Sequence, residues 1–288
     1  MKLYVPVFLV SWLCAQPLRA DQTFRVMPQS AEILQGEVLR VIVSGQGLTE
    51  ITALLGAQAI PFFPIQEGVY AGFIGIDLEQ KPGAVRVEIK ALKTAGEMEQ
   101  GLVDFRVKEK RFVEERFSVP PSFDRFDETT RKRIEDEQKR LERLWKSVTP
   151  GRLWAGPFEL PVKGEVGSPF GLRRVINGLP RSPHTGVDLK APLGTEIVAA
   201  NHGKVVVRDE FFFGGKTVVL DHGAGLYTMY LHLNDFRVTD GLLVRKGELI
   251  GWVGMTGRVT GPHLHWGVRL LGARVDPLEL VKATGMQP

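Results

Sequence analysis

TGRVTGPHLHWGV, residues 256–268, places His263 and His265 two positions apart at the head of an apolar run. In a β-strand, residues i and i+2 project from one face, so both imidazoles open into the same cavity. Upstream, HTGVDL (184–189) sets an imidazole and a carboxylate four residues apart, His184 and Asp188. Gly186 between them permits a backbone course tight enough to bring both to one point. All six histidines (His184, His202, His222, His232, His263, His265) fall in the second part of the chain, and none precedes position 184. A catalytic unit explains that segregation better than scattered structural histidines do. Catalytic zinc takes three nitrogen or oxygen ligands from the protein and keeps one open position. His184, Asp188 and His265 meet that count. Either pair of residues alone is commonplace; their occurrence together, with further His-bearing turns between them, is not.

Working outward, the stretch from Trp154 to the end alternates Gly-rich turns with short apolar runs such as Ile197-Val198-Ala199-Ala200 and Thr217-Val218-Val219-Leu220. Strand propensity dominates, and no helix of useful length is expected before Pro277. Residues 111–153 form a connector. Pro120-Pro121 stops the preceding strands, and Asp127 is placed to cap a helix running to about Ser147. The apolar positions of this helix, Ile134, Leu141, Leu144 and Trp145, make a narrow stripe, and its remainder is nearly all charged. It reads as a solvated helix resting one edge on a neighbouring unit.

Before the connector, Val85-Arg86-Val87-Glu88-Ile89-Lys90 and Val103-Asp104-Phe105-Arg106-Val107-Lys108 alternate apolar and charged residues with period two. Turn signals at Gly45-Gln46-Gly47, Glu67-Gly68 and Lys81-Pro82-Gly83 separate such runs. Residues 21–110 therefore read as an immunoglobulin-like β-sandwich. They contain no cluster of His, Cys or acidic residues that would carry chemistry.

The first twenty residues differ again. Lys2, an uncharged stretch from Leu3 to Leu18, and Leu18-Arg19-Ala20 have the layout of a secretory signal cleaved after Ala20. The stretch is short for a membrane span and is interrupted by Pro6 and Pro17. No later segment is apolar enough to cross a bilayer, so no stable span is expected once the signal is removed. Cys14, the only cysteine, lies in this segment, so the mature chain has neither disulfides nor thiol chemistry. A Gly-x-Ser-x-Gly nucleophile elbow is also absent from the sequence. The formal charge of +4, part of it in the signal, is too small and too scattered to indicate nucleic acid.

Over about residues 164–280 the chain resembles the LytM/lysostaphin-type zinc metallopeptidases. The matching stretches are Gly167-Ser168-Pro169-Phe170-Gly171 with Arg173, HTGVDL, the AP-GT pattern at 191–195 and Asp221-His222-Gly223. They continue with YLHL (230–233), KGELIG (246–251), TGRVTGPHLHWGV and Asp276-Pro277. The resemblance implies that His184, Asp188 and His265 bind Zn2+ and that zinc-bound water is the nucleophile. It further implies that His263 is the general base and that His232 stabilises or protonates groups at the tetrahedral centre. His222 matches a turn and is read as structural, and His202 matches no catalytic position.

The expected architecture is mainly β: an immunoglobulin-like sandwich (21–110), a linker with a charged helix (111–153) and a β-rich LytM/lysostaphin-type peptidase domain (154–288), after a signal peptide (1–20). The expected activity is a zinc metalloendopeptidase hydrolysing peptide cross-links of bacterial peptidoglycan, exported to the periplasm or cell envelope. A non-catalytic wall-binding protein or activator of cell-wall amidases is the alternative, and the complete His/Asp set speaks against it. The N-terminal domain and the helix leave room for a protein partner.

Overall fold

The computed structural model describes residues 24–120 and 125–286; the expected signal peptide at 1–20 lies outside the described residues. Nine strands come first: β1 (Arg25–Pro28), β2 (Glu32–Leu34), β3 (Val38–Ser44), β4 (Leu48–Leu55), β5 (Gln58–Ile60), β6 (Phe62–Gln66), β7 (Val69–Gly75), β8 (Gly83–Lys93) and β9 (Met98–Lys108). They form two sheets, β1-β3-β7-β6 and β2-β9-β8-β4-β5. The alternation legible in the sequence is what lets them stack. Val87 and Ile89 of β8, with Val103, Phe105 and Val107 of β9, turn inward onto Leu39, Val41 and Val43 of β3. On the outer face Arg86 and Asp104, paired in register, form an exposed ion pair at 2.7 Å, a contact that water and salt weaken.

The connector then crosses to the second half of the chain. Its strand β10 (Glu114–Phe117) runs parallel to a later strand, Arg173–Ile176. Helix α1 (Glu128–Trp145) starts where Asp127 accepts the Thr130 N–H at 2.7 Å, a cap worth about 1 kcal/mol. No residue of α1 is fully buried. Its edge packs through Leu141, Leu144 and Trp145 on a cluster of Val207, Phe211, Val219, Tyr227 and Met229, with the Trp145 and Tyr227 rings 5.4 Å apart. Among the described residues, no helix is long and apolar enough to cross a membrane.

The remaining strands are β11 (Val166–Ser168), β12 (Arg173–Ile176), β13 (Leu179–Pro180), β14 (Gly186–Leu189), β15 (Glu196–Val198), β16 (Gly203–Phe211), β17 (Gly215–Asp221), β18 (Leu226–Phe236), β19 (Leu243–Val244), β20 (Leu249–Val253), β21 (Leu264–Leu270) and β22 (Ala273–Val275), followed by helix α2 (Pro277–Gly285). The main sheet runs β11-β14-β21-β18-β17-β16-β19, with β15, β20 and β22 attached beside it. Leu264, Trp266 and Val268 of β21 are completely buried in the core on one face. That leaves His265 for the opposite face, as period two requires.

The two halves share an apolar seam. Val38 and Leu78 belong to the same core cluster as Trp154 and Trp266, and Phe63 meets Trp154 edge-on at 5.2 Å. Arg274 locks the seam with two hydrogen bonds to the carboxylate of Asp77, at 2.6 and 2.9 Å. The expectation of a mainly β chain with two β-rich parts joined through a charged helix holds.

Candidate metal centre

Strands β14 and β21 pair antiparallel with Asp188 opposite His265, so the register itself brings the carboxylate to the imidazole. Gly186 lies across from Gly267. A Cβ at 186 would stand 2.4 Å from the Trp266 carbonyl and 2.7 Å from His265 Nε2; only glycine lets the strands close here. His184 reaches the same point from the turn ahead of β14. Its backbone is tied to the 169–172 turn, with Gly171 N–H donating to the His184 carbonyl and His184 N–H to Leu172.

The three side chains converge. His184 Nε2 and His265 Nδ1 lie 2.9 and 3.0 Å from Asp188 Oδ1, and 2.9 Å from one another. His184 Nδ1 is 2.9 Å from the Pro169 carbonyl. A carbonyl only accepts, so Nδ1 carries the proton and Nε2 presents a lone pair to the cluster. A proton on His265 Nδ1 could satisfy only part of this triangle of acceptors, whereas a cation at its centre satisfies all three. Three ligands of a tetrahedral zinc site stand about 3.3 Å apart for bonds of about 2.0 Å, close to the observed edges. The donor set therefore fits a divalent metal. Burial works against charge on Asp188, but the neighbouring His184 and His265 outweigh it and hold the carboxyl far below the usual carboxylate range. Burial lowers the pKa of His265, which favours the neutral, ligating form.

Two further rings stand beside the cluster. His263 donates from Nδ1 to the Gly261 carbonyl at 2.9 Å, and its Nε2 lies 3.7 Å from Asp188 Oδ1. His232 stands with its ring centre 4.9 Å from that of His263, and its Nδ1 lies 3.0 Å from the Thr256 carbonyl. Both are thereby set as Nδ1–H tautomers with Nε2 as an acceptor. Burial, helped by the neighbouring His265 and His263, pushes His232 down to about 3, so it rests neutral. A donor role for His232 consequently begins only after a proton has reached it. His232 also has φ +66, where β18 breaks register with β17. Non-glycine residues held there by their surroundings cluster at functional sites.

His222 and His202 stay apart from this centre. His222 is fully buried, donates from Nδ1 to the His202 carbonyl at 2.6 Å and has Nε2 2.7 Å from Thr228 Oγ1. Burial lowers it to about 4. His202 accepts the Lys246 N–H through Nδ1. The orienting carbonyls of Pro169, Gly261 and Thr256 carry no side-chain signature, and sequence reasoning passed over them.

A crystal structure from Pseudomonas aeruginosa assigned to peptidase M23 is similar to this chain over 88% of its length and 96% of the Pseudomonas chain, at 31% identity and a TM-score of 0.68. This chain belongs to peptidase family M23. The model of that family matches residues 182–277, which contain all five residues of the centre. Among curated proteins, the chain is 40% identical over 119 residues to the DD-carboxypeptidase/endopeptidase Mpg of Neisseria meningitidis, covering 41% of this chain and 27% of Mpg. It is 38% identical over 123 residues to the peptidoglycan DD-endopeptidase ShyA of Vibrio cholerae, covering 42% of this chain and 29% of ShyA. The matched span is thus a little over a quarter of the length of these relatives.

Proposed function

We propose that the protein is a zinc-dependent endopeptidase that hydrolyses peptide cross-links of peptidoglycan in the cell envelope, exported under a signal at residues 1–20. In this reading residues 21–110 form an accessory sandwich, 111–153 a connector and 154–288 the peptidase domain. His184, Asp188 and His265 hold the metal. The observation that carries the reading is the 2.9–3.0 Å triangle of their ligand atoms, with the rings of His232 and His263 alongside. The names of Mpg and ShyA support the substrate class.

Zinc held there supplies a Lewis acid for the scissile carbonyl and makes water acidic enough to be deprotonated near neutral pH. The chain's own residues handle the proton. His263 Nε2, an acceptor in the resting tautomer, takes the proton of the attacking water, a contribution of about 10²–10⁴-fold. Its Nδ1–H bond to the Gly261 carbonyl keeps the ring aimed and spreads the charge it gains. His232, receiving that proton from the adjacent His263 ring, donates it to the leaving nitrogen of the collapsing amide. Its contact with Thr256 holds it within reach of His263.

The test is digestion of defined peptidoglycans by the purified full chain, with and without a chelator, and mass spectrometry of the fragments. Chelator-sensitive, zinc-restored release of fragments cut within the cross-link is expected. Wall binding that persists under chelator and releases no peptide would replace this reading with the amidase-activator alternative.

A further inference from the structure

Helix α1 lies outside the span matched by the family, yet one of its side chains breaks its own pattern. The covered stripe of the helix is Thr130, Ile134, Glu137, Leu141, Leu144 and Trp145, so a carboxylate occupies a place that helical periodicity would give to an apolar residue. The Glu137 side chain is only 18% exposed. A carboxylate so covered needs partners, and both its oxygens accept one backbone N–H, that of Phe212, at 3.1 and 2.9 Å. Arg133, one turn earlier, donates to the same carboxylate at 2.7 Å and to the Glu210 carbonyl at 2.8 Å. Arg140 adds an ion pair with Asp209, and the Phe126 ring meets those of Phe212 and Phe213. The connector thus grips the tip of the β16–β17 hairpin along one side.

On its other side the same tip holds His232. The Gly214 carbonyl accepts the His232 N–H at 2.8 Å. Lys216 N–H donates to Thr256 Oγ1 at 2.9 Å, and the Thr256 carbonyl accepts His232 Nδ1. Hairpin and Thr256 loop touch so closely that a Cβ at Gly215 or Gly257 would fall within 2.5 Å of backbone atoms. His232 has a left-handed backbone conformation that only such surroundings maintain.

We propose that Glu137 is a positioning residue for His232, acting through the hairpin tip, so that the accessory helix is a working part of the reaction centre. This rests on the hydrolase reading above, because it gives His232 a role in turnover. The step from Glu137 to His232 passes through two hydrogen-bonded contacts and moves no proton between them.

The test uses the full-length, zinc-loaded chain carrying Glu137→Ala, Glu137→Gln, His232→Ala and the Glu137→Ala/His232→Ala pair. Glu135→Ala, an equal charge change on the exposed side of the same helix, is the control. Digestions run long enough to measure the residual turnover of His232→Ala. Glu137→Ala should lower kcat by about 10- to 100-fold, the range expected of small misplacements, with KM and zinc content unchanged. Glu137→Gln, whose amide oxygen still accepts the Phe212 N–H, should retain most activity, and Glu135→Ala all of it. In the His232→Ala background the Glu137 effect should vanish. Hydrogen exchange should rise in 209–216 and 230–234 of Glu137→Ala and stay constant in 186–189. Full activity of Glu137→Ala, an equal loss in the His232→Ala background, or loss of zinc would overturn the proposal. An inactive unmodified chain would sink the hydrolase reading instead, and the exchange pattern alone would then decide whether the helix braces the hairpin and His232.

Discussion

His184 Nε2 and His265 Nδ1 stand 2.9 Å apart although 81 residues separate them in the chain. Asp188 Oδ1 closes the triangle at 2.9 and 3.0 Å from the two nitrogens. Asp188→Ala should abolish metal binding, because two imidazoles without the carboxylate lack both the third ligand and the charge that holds a divalent ion. Metal analysis after dialysis and a peptidoglycan digestion should both read near zero. Retention of stoichiometric zinc would refute the ligand set.

His263→Ala separates chemistry from metal binding. The ring sits 3.7 Å from Asp188 Oδ1 through Nε2 but outside the triangle, so zinc content should match the unmodified chain. Turnover should fall about 10²- to 10⁴-fold, as for loss of a general base. Near-normal turnover would move the base to His232.

Gly186→Ala tests the close approach of β14 to β21. The added methyl would press on the Trp266 carbonyl and on His265 Nε2, and overpacking of this kind costs about 1–3 kcal/mol. A urea melt should show that loss, and a zinc titration a weaker site, since His265 must shift. A fully stable variant with unchanged zinc affinity would show that the strands part freely.

His222 links stability to pH. Burial holds its folded pKa at about 4, below the ordinary imidazole value of about 6.5, so the unfolded chain binds the extra proton first as pH falls. Its contribution is complete above about pH 6.5 and is lost progressively down to about pH 4, amounting to about 3 kcal/mol. Thermal melts of the unmodified chain from pH 7.5 to 4.5 should fall more steeply than those of His222→Gln. Parallel curves would assign the acid sensitivity elsewhere.

Arg274→Ala tests the seam between the halves. It removes the paired hydrogen bonds to Asp77 and the contact with Glu79, with an expected loss of about 2 kcal/mol. If the seam matters only for stability, kcat on peptidoglycan below the melting range should stay unchanged.

Much of this could be read from the chain. Period-two alternation placed Val87, Ile89, Val103 and Phe105 inside a sandwich, and the Asp127 cap and the Leu141/Leu144/Trp145 stripe marked a helix leaning on a neighbour. Those signals are local: strand and helix periodicities decide which side chains can share a face before any tertiary contact exists. His184, Asp188, His263 and His265 were legible for the same reason, their types and spacings being short-range. What only the folded chain decided was which atoms meet. The β14–β21 register set Asp188 against His265, and backbone carbonyls of Pro169, Gly261 and Thr256 chose the tautomers; neither leaves a mark in side-chain identity. Glu137 shows the limit most plainly. In the sequence it is one more acid in a charged run, and it became distinct only when a hairpin tip some 75 residues away turned its backbone N–H toward the helix. Hydrogen-bond partners distant in sequence are selected by packing, and packing is a property of the whole fold.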